Sequence, residues 1–374
     1  SEADRQMNPS LAVWSVLLIA HSGGAGGAAC VPGSWRLLPG ATSAPLPSAS
    51  GWPVPDWQQV SRAEEVGFSR AGLERYVAWL RSKAEREPFG TVVVRSGKIV
   101  CEFYGSDAGA GTKWELGSIR KSVASALLGA AIAEEKLSLA TVVYDVWPEI
   151  YRITGAEKDK QIRIRHLATN TSGWMTGSPP GKAWLYNNAA CTAGGAVMGR
   201  VYGMRADRIA PLIAERIARK IHAGWDCYHY EQQLLPGNHR LPGPKLAIDS
   251  TLRDVARYGY LWLREGEWNG VQVIPRDYVM EARRNQVVDL GGHYGYWWFI
   301  NDGKALLPGA PSDAFFHVGN GKDNRRTVLL IVPSLDLVAV VGTGAGAYDI
   351  TSGYESQPVG KVDEWIRKIL EAVL

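Results

Sequence analysis

Apolar side chains recur first at helical and then at strand spacing in the early part of the chain. Residues 69–83 place four of them on one helical face and predict an amphipathic helix: Leu73, Tyr76, Val77 and Leu80. Residues 90–105, GTVVVRSGKIVCEFYG, hold two apolar runs around a Ser-Gly pair and predict a β-hairpin. Residues 118–135 are rich in Ala and Leu, lack Pro and contain one glycine, so they predict a buried helix.

The later part of the chain changes from helical to strand patterning. Residues 156–245 combine short helical segments with Pro- and Gly-rich loops, and a helix is predicted at 250–266, where Ser250 or Thr251 can act as its N-cap. Four apolar runs then predict strands: YGYWWFIND, AFFHVGNG, RRTVLLIVP and LDLVAVVGTG. A helix over 359–374 follows. This order predicts an α+β fold in which an antiparallel sheet is flanked by N- and C-terminal helices.

The same patterns divide the chain into three parts. Residues 1–55 are predicted to form a signal-like leader and a Pro/Ser/Gly-rich linker. Residues 56–155 and 246–374 are predicted to form the sheet domain. Residues 156–245 are expected to form a mainly helical, partly irregular insertion in that domain.

The leader contains an apolar run, LAVWSVLLIA at 11–20, which is too short to span a bilayer and long enough for a signal-peptide core. No Lys or Arg stands between Met7 and this run, which counts against export. The segment GAAC at 27–30 resembles a lipoprotein cleavage box only loosely, because an aliphatic residue three before Cys30 is missing. We expect an exported protein, periplasmic or secreted, without a stable membrane span. A lipid anchor at Cys30 is an alternative, and a cytoplasmic location is disfavoured.

Composition and charge exclude few classes of function. The 374 residues are 46% hydrophobic and 21% charged, an ordinary globular composition. Lys and Arg (41) exceed Asp and Glu (37) by four without a long basic run, so nothing favours nucleic-acid binding. The four cysteines form no Cys-x-x-Cys, and Cys227 and His229 lack further ligands, so no metal site is predicted. A disulfide between Cys191 and Cys227 stays open.

Residues 118–121, Ser-Ile-Arg-Lys, form the only Ser-x-x-Lys of the chain. Side chains three apart share a helix face, so the Ser118 hydroxyl and the Lys121 amine can meet. The N–H groups of the first helical turn can hold a developing oxyanion. A lysine acts as a base near neutral pH when its pKa falls from about 10.4 towards about 7 or 8, and burial, the helix dipole and a nearby Arg120 favour that fall. The plain alternative is a capping serine beside a solvated lysine.

Two further motifs follow in order. The only Tyr-x-Asn occupies residues 186–188, in a loop that runs into a predicted helix, and a His-Val-Gly occupies 317–319 on a predicted strand. Each has a structural alternative: Tyr186 as a core or rim residue, Asn188 as a helix cap, and His317 as a packing residue. The order, spacing and context of the three motifs together indicate a site.

With these motifs in place, the chain resembles the serine beta-lactamase and penicillin-binding-protein superfamily, in its class C-like branch. That branch includes family VIII esterases, D-amino-acid peptidases and amidases, and 6-aminohexanoate-dimer hydrolase. The resemblance covers roughly residues 70–374 and extends to three segments outside the motifs: IRIRHLATNTSGW, STLRDVARYGYLWLREGEWNGVQVIPRDYV and TVLLIVPSLDLVAVV. It implies a beta-lactamase/transpeptidase-like fold.

The resemblance also implies a covalent reaction. Ser118 would be the acylated nucleophile and Lys121 its proton partner. Tyr186 would pass protons between the nucleophile and the leaving group. Such a reaction takes in an ester or amide, forms an acyl-Ser118 intermediate and releases it to water, without a metal or organic cofactor.

Four further residues would bind the substrate or its oxyanion. Asn188 matches the motif asparagine, which hydrogen-bonds substrate or lysine. His317 and Gly319 match the third-motif strand that lines the site. The backbone N–H groups of Ser118 and Asn320 would form the oxyanion hole.

Departures from the family pattern bear on the substrate. With His rather than Lys at position 317, the usual cation for a beta-lactam carboxylate is missing or only sometimes charged. Lys322, Arg325 and Arg326 could attract a carboxylate or form a solvated hairpin tip, and Lys322–Asp323 departs from the GNGGQ of many relatives. The tryptophans are core residues by default, with one or two as candidates for an acyl pocket: Trp174, Trp184, Trp225, Trp297 and Trp298.

The sequence therefore predicts a serine hydrolase that cleaves small esters or amides. No Gly-x-Ser-x-Gly supports an α/β-hydrolase. A beta-lactamase or D,D-peptidase is the alternative within the same chemistry. A penicillin-binding sensor of peptidoglycan-like ligands, without turnover, is the alternative from another class. The scissile bond and the oligomeric state stay open.

Overall fold

A six-stranded antiparallel sheet forms the centre of the fold. The computed structural model describes residues 51–83, 88–105, 107–204, 208–230, 245–322, 325–344 and 360–374. In the order in which they pair, the strands are β2 (Lys98–Gly105), β1 (Phe89–Arg95), β11 (Leu337–Thr343), β10 (Arg326–Val332), β9 (Phe315–Asn320) and β8 (Phe299–Ile300). The predicted α+β fold with an antiparallel sheet is confirmed. The signal-like run and Cys30 lie outside the described residues.

Helices surround this sheet and a smaller one. The α-helices of the described residues are α1 (Arg70–Lys83), α2 (Arg120–Ala133), α3 (Val143–Val146), α4 (Glu149–Thr154), α5 (Ile164–Ala168), α6 (Asn188–Val201), α7 (Ala210–Ile213), α8 (Leu252–Leu263), α9 (Arg276–Ala282) and α10 (Gly360–Leu370). A three-stranded sheet pairs β3 (Trp114–Glu115), β5 (Lys245–Ser250) and β4 (Asp226–Tyr230), and a two-stranded one pairs β6 (Glu267–Trp268) with β7 (Val271–Gln272).

The two faces of the large sheet pack against different helices. On one face the Tyr76 hydroxyl of α1 bonds the Thr91 hydroxyl at 2.8 Å and accepts the Trp365 indole N–H of α10 at 2.8 Å. Neighbouring strand residues point to opposite faces. Gly90, which precedes Thr91 in β1, therefore faces the other side of the sheet. A Cβ on Gly90 would lie 3.0 Å from the Leu252 side chain of α8. The predicted terminal helices α1 and α10 therefore share one face, and α8 covers the other.

The predicted hairpin forms because its turn suits the twist of the strands. Residues of β1 and β2 pair antiparallel, and Ser96 and Gly97 between them have φ values of 52° and 75°. Two consecutive positive φ values are typical of the turns that match the right-handed twist of a two-strand ribbon.

Two predicted elements differ in extent. Of YGYWWFIND only Phe299–Ile300 is a strand, because Trp297 has a φ of 58° and breaks the extended run, while the Gly295 N–H donates to the Trp298 carbonyl. The predicted helix from residue 118 begins as a short 3₁₀ turn, Gly117–Ile119, before α2 starts at Arg120. Ser118 therefore lies in that turn rather than in the α-helix.

The predicted boundaries of the insertion stay a prediction. The residues from Pro45 to Leu374 form one compact unit, in which α6 packs on α2. Strand β4, from the predicted insertion, pairs with β5.

Cys191 and Cys227 form no disulfide, which corrects the pairing left open above. In the described part of the chain, every helix is too short or too polar to cross a membrane.

Candidate active site

Two glycines bring the turn around Ser118 against strand β9. Gly117 has a φ of 50°, and a Cβ there would lie 2.3 Å from the Asn320 carbonyl oxygen. A Cβ on Gly319 would lie 2.0 Å from the Leu116 carbonyl oxygen. No real side chain fits at either distance, so glycine is required where the two backbones meet. The contact brings the turn that contains Ser118 next to Gly319 and Asn320.

Lys121 connects three of the predicted site residues. Its side chain is fully buried, and Nζ donates to Ser118 Oγ at 2.8 Å, to the Tyr186 hydroxyl at 2.7 Å and to Asn188 Oδ1 at 2.7 Å. The ammonium also lies 4.5 Å from the centre of the Tyr186 ring. An ammonium has three donors, and these three oxygens match them. The solvated-lysine alternative is therefore wrong.

The start of α6 holds Tyr186 and Asn188 in place. Asn187 is the N-cap: its Oδ1 accepts the N–H groups of Ala189 at 2.8 Å and Ala190 at 3.3 Å. Because the cap is Asn187, the alternative in which Asn188 caps the helix is wrong, and the Asn188 side chain faces Lys121 instead.

A stack of rings supports Tyr186. Its ring lies nearly parallel to that of Phe299, with centroids 5.6 Å apart, and meets Tyr294 edge-on at 6.2 Å. Phe299 in turn contacts the His317 ring at 5.5 Å. Phe299 lies 113 positions after Tyr186 in the sequence and outside every motif, so sequence reasoning had no signal with which to find it.

His317 lies in the wall of the site rather than at its opening. The imidazole is fully buried, its Nδ1 is 3.0 Å from the Val318 carbonyl, and its Nε2 has no partner among the described residues. Burial, and then the charges of Lys121 and Arg120, hold the pKa of His317 well below its ordinary value. The ring is therefore neutral near pH 7. Direct substrate contact, expected from the motif, is not supported by this burial.

Charged side chains border the site at the tip between β9 and β10. Lys322 Nζ donates to the Tyr228 hydroxyl at 2.6 Å, and its backbone N–H donates to Glu115 Oε2 at 2.6 Å. The bond to Tyr228 raises the pKa of Lys322, which is exposed and cationic. The guanidinium of Arg325 lies 5.6 Å from the Trp114 ring. Asp323 lies outside the described residues.

The tryptophans singled out above are mostly core residues, and a role for any of them in an acyl pocket stays a prediction. Four of those singled out are buried, namely Trp174, Trp225, Trp297 and Trp298, and Trp184 is half-buried against Tyr294. Across the described ranges, no group of three or more His, Cys, Asp or Glu side chains could hold a metal ion.

Known structures share this fold. A penicillin-binding-protein homolog from Caulobacter crescentus is 14% identical with a TM-score of 0.64, over 84% of this chain and 99% of that one. A Bacteroides dorei protein assigned as a beta-lactamase is 18% identical with a TM-score of 0.61, over 81% and 99%. A Bacillus anthracis protein assigned as a 6-aminohexanoate-dimer hydrolase is 16% identical with a TM-score of 0.60, over 86% and 88%. These identities show a common fold and nothing finer.

The sequence itself carries the family assignment. No curated protein sequence matches the chain. The model of the family described as Beta-lactamase matches residues 84–344, which include Ser118, Lys121, Tyr186 and His317. The predicted resemblance is confirmed, and the chain belongs to the beta-lactamase family.

Proposed function

We propose that the protein is a serine hydrolase that cleaves small esters or amides through an acyl-Ser118 intermediate. The observation that carries the proposal is the position of Lys121, whose buried Nζ lies within 2.8 Å of both Ser118 Oγ and the Tyr186 hydroxyl. A nucleophile within hydrogen-bond reach of a base, with that base held by further groups, is the arrangement that acyl transfer requires.

The reaction needs only groups of this chain and water. Ser118 Oγ attacks the carbonyl carbon, the new O–C bond forms, and the hydroxyl proton passes to Lys121 in its amine form or to Tyr186 as phenolate. A hydrogen bond joins the two side chains, so a proton can pass between them. Collapse of the tetrahedral intermediate breaks the C–O or C–N bond, and the leaving group takes the proton through Tyr186. Water then gives a proton to the same base as its oxygen attacks the acyl carbon, the bond from that carbon to Ser118 Oγ breaks, and Oγ takes the proton as the carboxylic acid leaves.

The remaining site residues support these steps. Asn188 accepts a hydrogen bond from Lys121 and fixes the direction of its Nζ. The oxyanion would bind the backbone N–H groups of Ser118 and Asn320, whose chain segments are in contact through Gly117.

The burial of His317 favours uncharged esters and amides over beta-lactams. A neutral, fully buried imidazole offers no positive charge to the carboxylate of a beta-lactam or a D,D-peptide. Lys322 is a cation at the rim, where its bond to Tyr228 holds it. Beta-lactamase or D,D-peptidase activity is therefore the second expectation within the same chemistry.

Two assays on intact protein test the proposal. A fluorophosphonate should add to Ser118, as read by intact mass, and p-nitrophenyl acetate should be turned over steadily, faster than nitrocefin. Ser118→Ala should abolish labelling. Ser122→Ala is the matched control, because Ser122 lies four residues later in the first turn of α2 and its hydroxyl donates to the Ile119 carbonyl, and it should label normally.

Lys121→Ala tests the proton partner separately. Loss of the base should lower kcat by about 100- to 10,000-fold, the usual contribution of general acid–base catalysis. Exposed Lys113, which pairs with Asp226, gives the control Lys113→Ala. A stable adduct without turnover would point to a sensor rather than an enzyme. Labelling that survives in Ser118→Ala, or wild type that does not label, would contradict the proposal.

A further inference from the structure

Arg120 is a buried arginine that bonds the peptide next to the nucleophile. Its side chain is 5% exposed, and Nη1 donates to the Gly117 carbonyl at 2.8 Å. The backbone N–H of Arg120 donates to the same carbonyl. Within the described ranges its guanidinium forms no ion pair. A buried cation is costly unless it is well bonded, so its bond to this one carbonyl calls for an explanation.

The carbonyl that Arg120 bonds belongs to the same peptide as the Ser118 N–H. A trans peptide is planar, and its C=O and N–H point in opposite directions. Fixing the Gly117 carbonyl on the Arg120 side therefore aims the Ser118 N–H away from Arg120. That N–H is one of the two donors of the oxyanion hole in the proposed function.

This peptide needs an external restraint. Gly117 is required here by its φ of 50° and its contact with Asn320, and glycine has no side chain with which to limit its own conformations. The guanidinium supplies the restraint. Its charge also polarises the peptide, because a hydrogen bond to the carbonyl strengthens the N–H of the same unit as a donor.

We propose that Arg120 is a positioning residue for the oxyanion hole, which orients and polarises the Gly117–Ser118 peptide through its bond to the Gly117 carbonyl. The inference rests on the proposed function, since it concerns the step in which Ser118 Oγ bonds the carbonyl carbon. In that step the carbonyl π bond breaks, its electron pair becomes the oxyanion, and the serine proton leaves to Lys121 or Tyr186. Arg120 takes no proton and touches no reacting atom.

Removing the Arg120 guanidinium should weaken the binding of the transition state and leave the binding of the substrate unchanged. Loss of an oxyanion donor lowers kcat by about 100- to 1,000-fold. Arg120 acts through such a donor, so in Arg120→Gln we expect a fall in kcat of about 10- to 100-fold for p-nitrophenyl acetate, with KM nearly unchanged. Inhibition by phenylboronic acid, which forms a tetrahedral anion on Ser118, should weaken in parallel. Arg120→Lys, which keeps a charged donor, should retain more activity than Arg120→Gln.

Chemical rescue and a matched variant separate positioning from stability. Added guanidinium at a low, non-denaturing concentration should raise kcat in Arg120→Ala and leave wild type unaffected. Arg257 is the control: it is equally buried and also donates to backbone carbonyls, those of Pro53 and Pro55, outside the site. Arg257→Gln should lower the melting temperature without weakening phenylboronic acid inhibition.

Three results would overturn the inference. One is an Arg120→Gln enzyme with wild-type kcat, and another is a kcat loss that Arg257→Gln reproduces. The third is an Arg120→Gln enzyme in which the acid limb of the pH profile of kcat shifts while inhibition by phenylboronic acid is unchanged. That result would mean that Arg120 acts on the protonation state of Lys121 and not on the oxyanion hole. Wild-type protein without labelling or turnover would instead overturn the proposed function, so the two failures are distinguishable.

Discussion

At the scale of single residues, the site combines a buried lysine with a buried neutral ring. Lys121 and His317 are both fully buried, and the charge of Lys121 is one of the causes of the low pKa of His317. The two side chains are accommodated in the interior in different ways. Lys121 donates to three oxygens, whereas His317 keeps an uncharged ring among Phe299 and Trp298. The residue that the motif marks as a substrate contact is therefore better described as a support for the Tyr186 stack.

The low pKa of His317 predicts a pH dependence of stability. The unfolded chain binds a proton at this residue below about pH 6.5 and the folded chain does not, so the free energy of unfolding falls as the pH falls through 6.5. Between pH 7 and pH 5 a single histidine of this kind lowers the free energy of unfolding by at most about 2 kcal/mol. His317→Gln should lose less stability over the same interval, as measured by urea unfolding at both pH values.

Other histidines provide the comparison for that measurement. Burial also lowers the pKa of His166 to about 4, so the variant should lose part of the pH dependence and not all of it. His222 is exposed at a φ of 56°, a conformation that asparagine tolerates, which makes His222→Asn the matched control. A His317→Gln protein with the same pH dependence as His222→Asn would contradict the prediction.

At the scale of elements, periodicity predicts more than motif geometry does. Helical spacing identifies α1 and α8, and the paired apolar runs identify the hairpin of β1 and β2, because these patterns reflect burial along a single segment. The same reasoning predicts too long a strand around Trp297, since the apolar residues there are buried without being extended. The pattern also does not identify the N-cap of α6, because YNN contains two asparagines. Only the structure shows that Asn187 accepts the hydrogen bonds of the α6 N–H groups.

The cap of α6 should matter more for catalysis than for stability. Asn187→Ala removes the cap and the bond from Nδ2 to the Trp174 carbonyl, which together fix the residues on either side, Tyr186 and Asn188. A lost cap costs about 1 kcal/mol. We expect that loss in urea unfolding, together with a fall in kcat of at least about tenfold, because misplaced catalytic groups lose the benefit of orientation.

The N-cap of α8 provides a control that separates the effect of a lost cap on stability from its effect on kcat. Thr251 caps α8 through its hydroxyl, which accepts the Asp254 N–H at 3.1 Å, and none of these groups belongs to the site. Thr251→Ala should lose a similar amount of stability and keep its kcat. Equal effects of the two variants on kcat would mean that Asn187 contributes only to folding.

At the scale of the whole molecule, the site exists only where distant segments meet. The turn at Ser118 and the strand at Gly319 are about two hundred positions apart, and the sequence could mark each motif without showing that they touch. The order of the three motifs indicates which residues belong together only through the resemblance to the family. The bond from Arg120 to Gly117 and the stack on Phe299 depend on side-chain placement, which no pattern along the chain records.

Gly319→Ala tests this long-range contact. A methyl group there would lie 2.0 Å from the Leu116 carbonyl and 3.4 Å from the Ile119 side chain, so β9 must move away from the turn. Such crowding costs about 1 to 3 kcal/mol. The displaced strand should also carry the Asn320 N–H away from the oxyanion, with a loss in kcat of about 100-fold or more.

Gly109→Ala is the control for this substitution, because a Cβ there meets nothing within 4 Å and the residue has no positive φ. It should be neutral in both measurements. If Gly319→Ala kept wild-type kcat while losing stability, the strand would hold the fold together without forming the oxyanion hole. A loss of kcat that exceeds the loss of stability, together with weakened phenylboronic acid inhibition, is what we expect if the backbone of β9 binds the reacting oxygen.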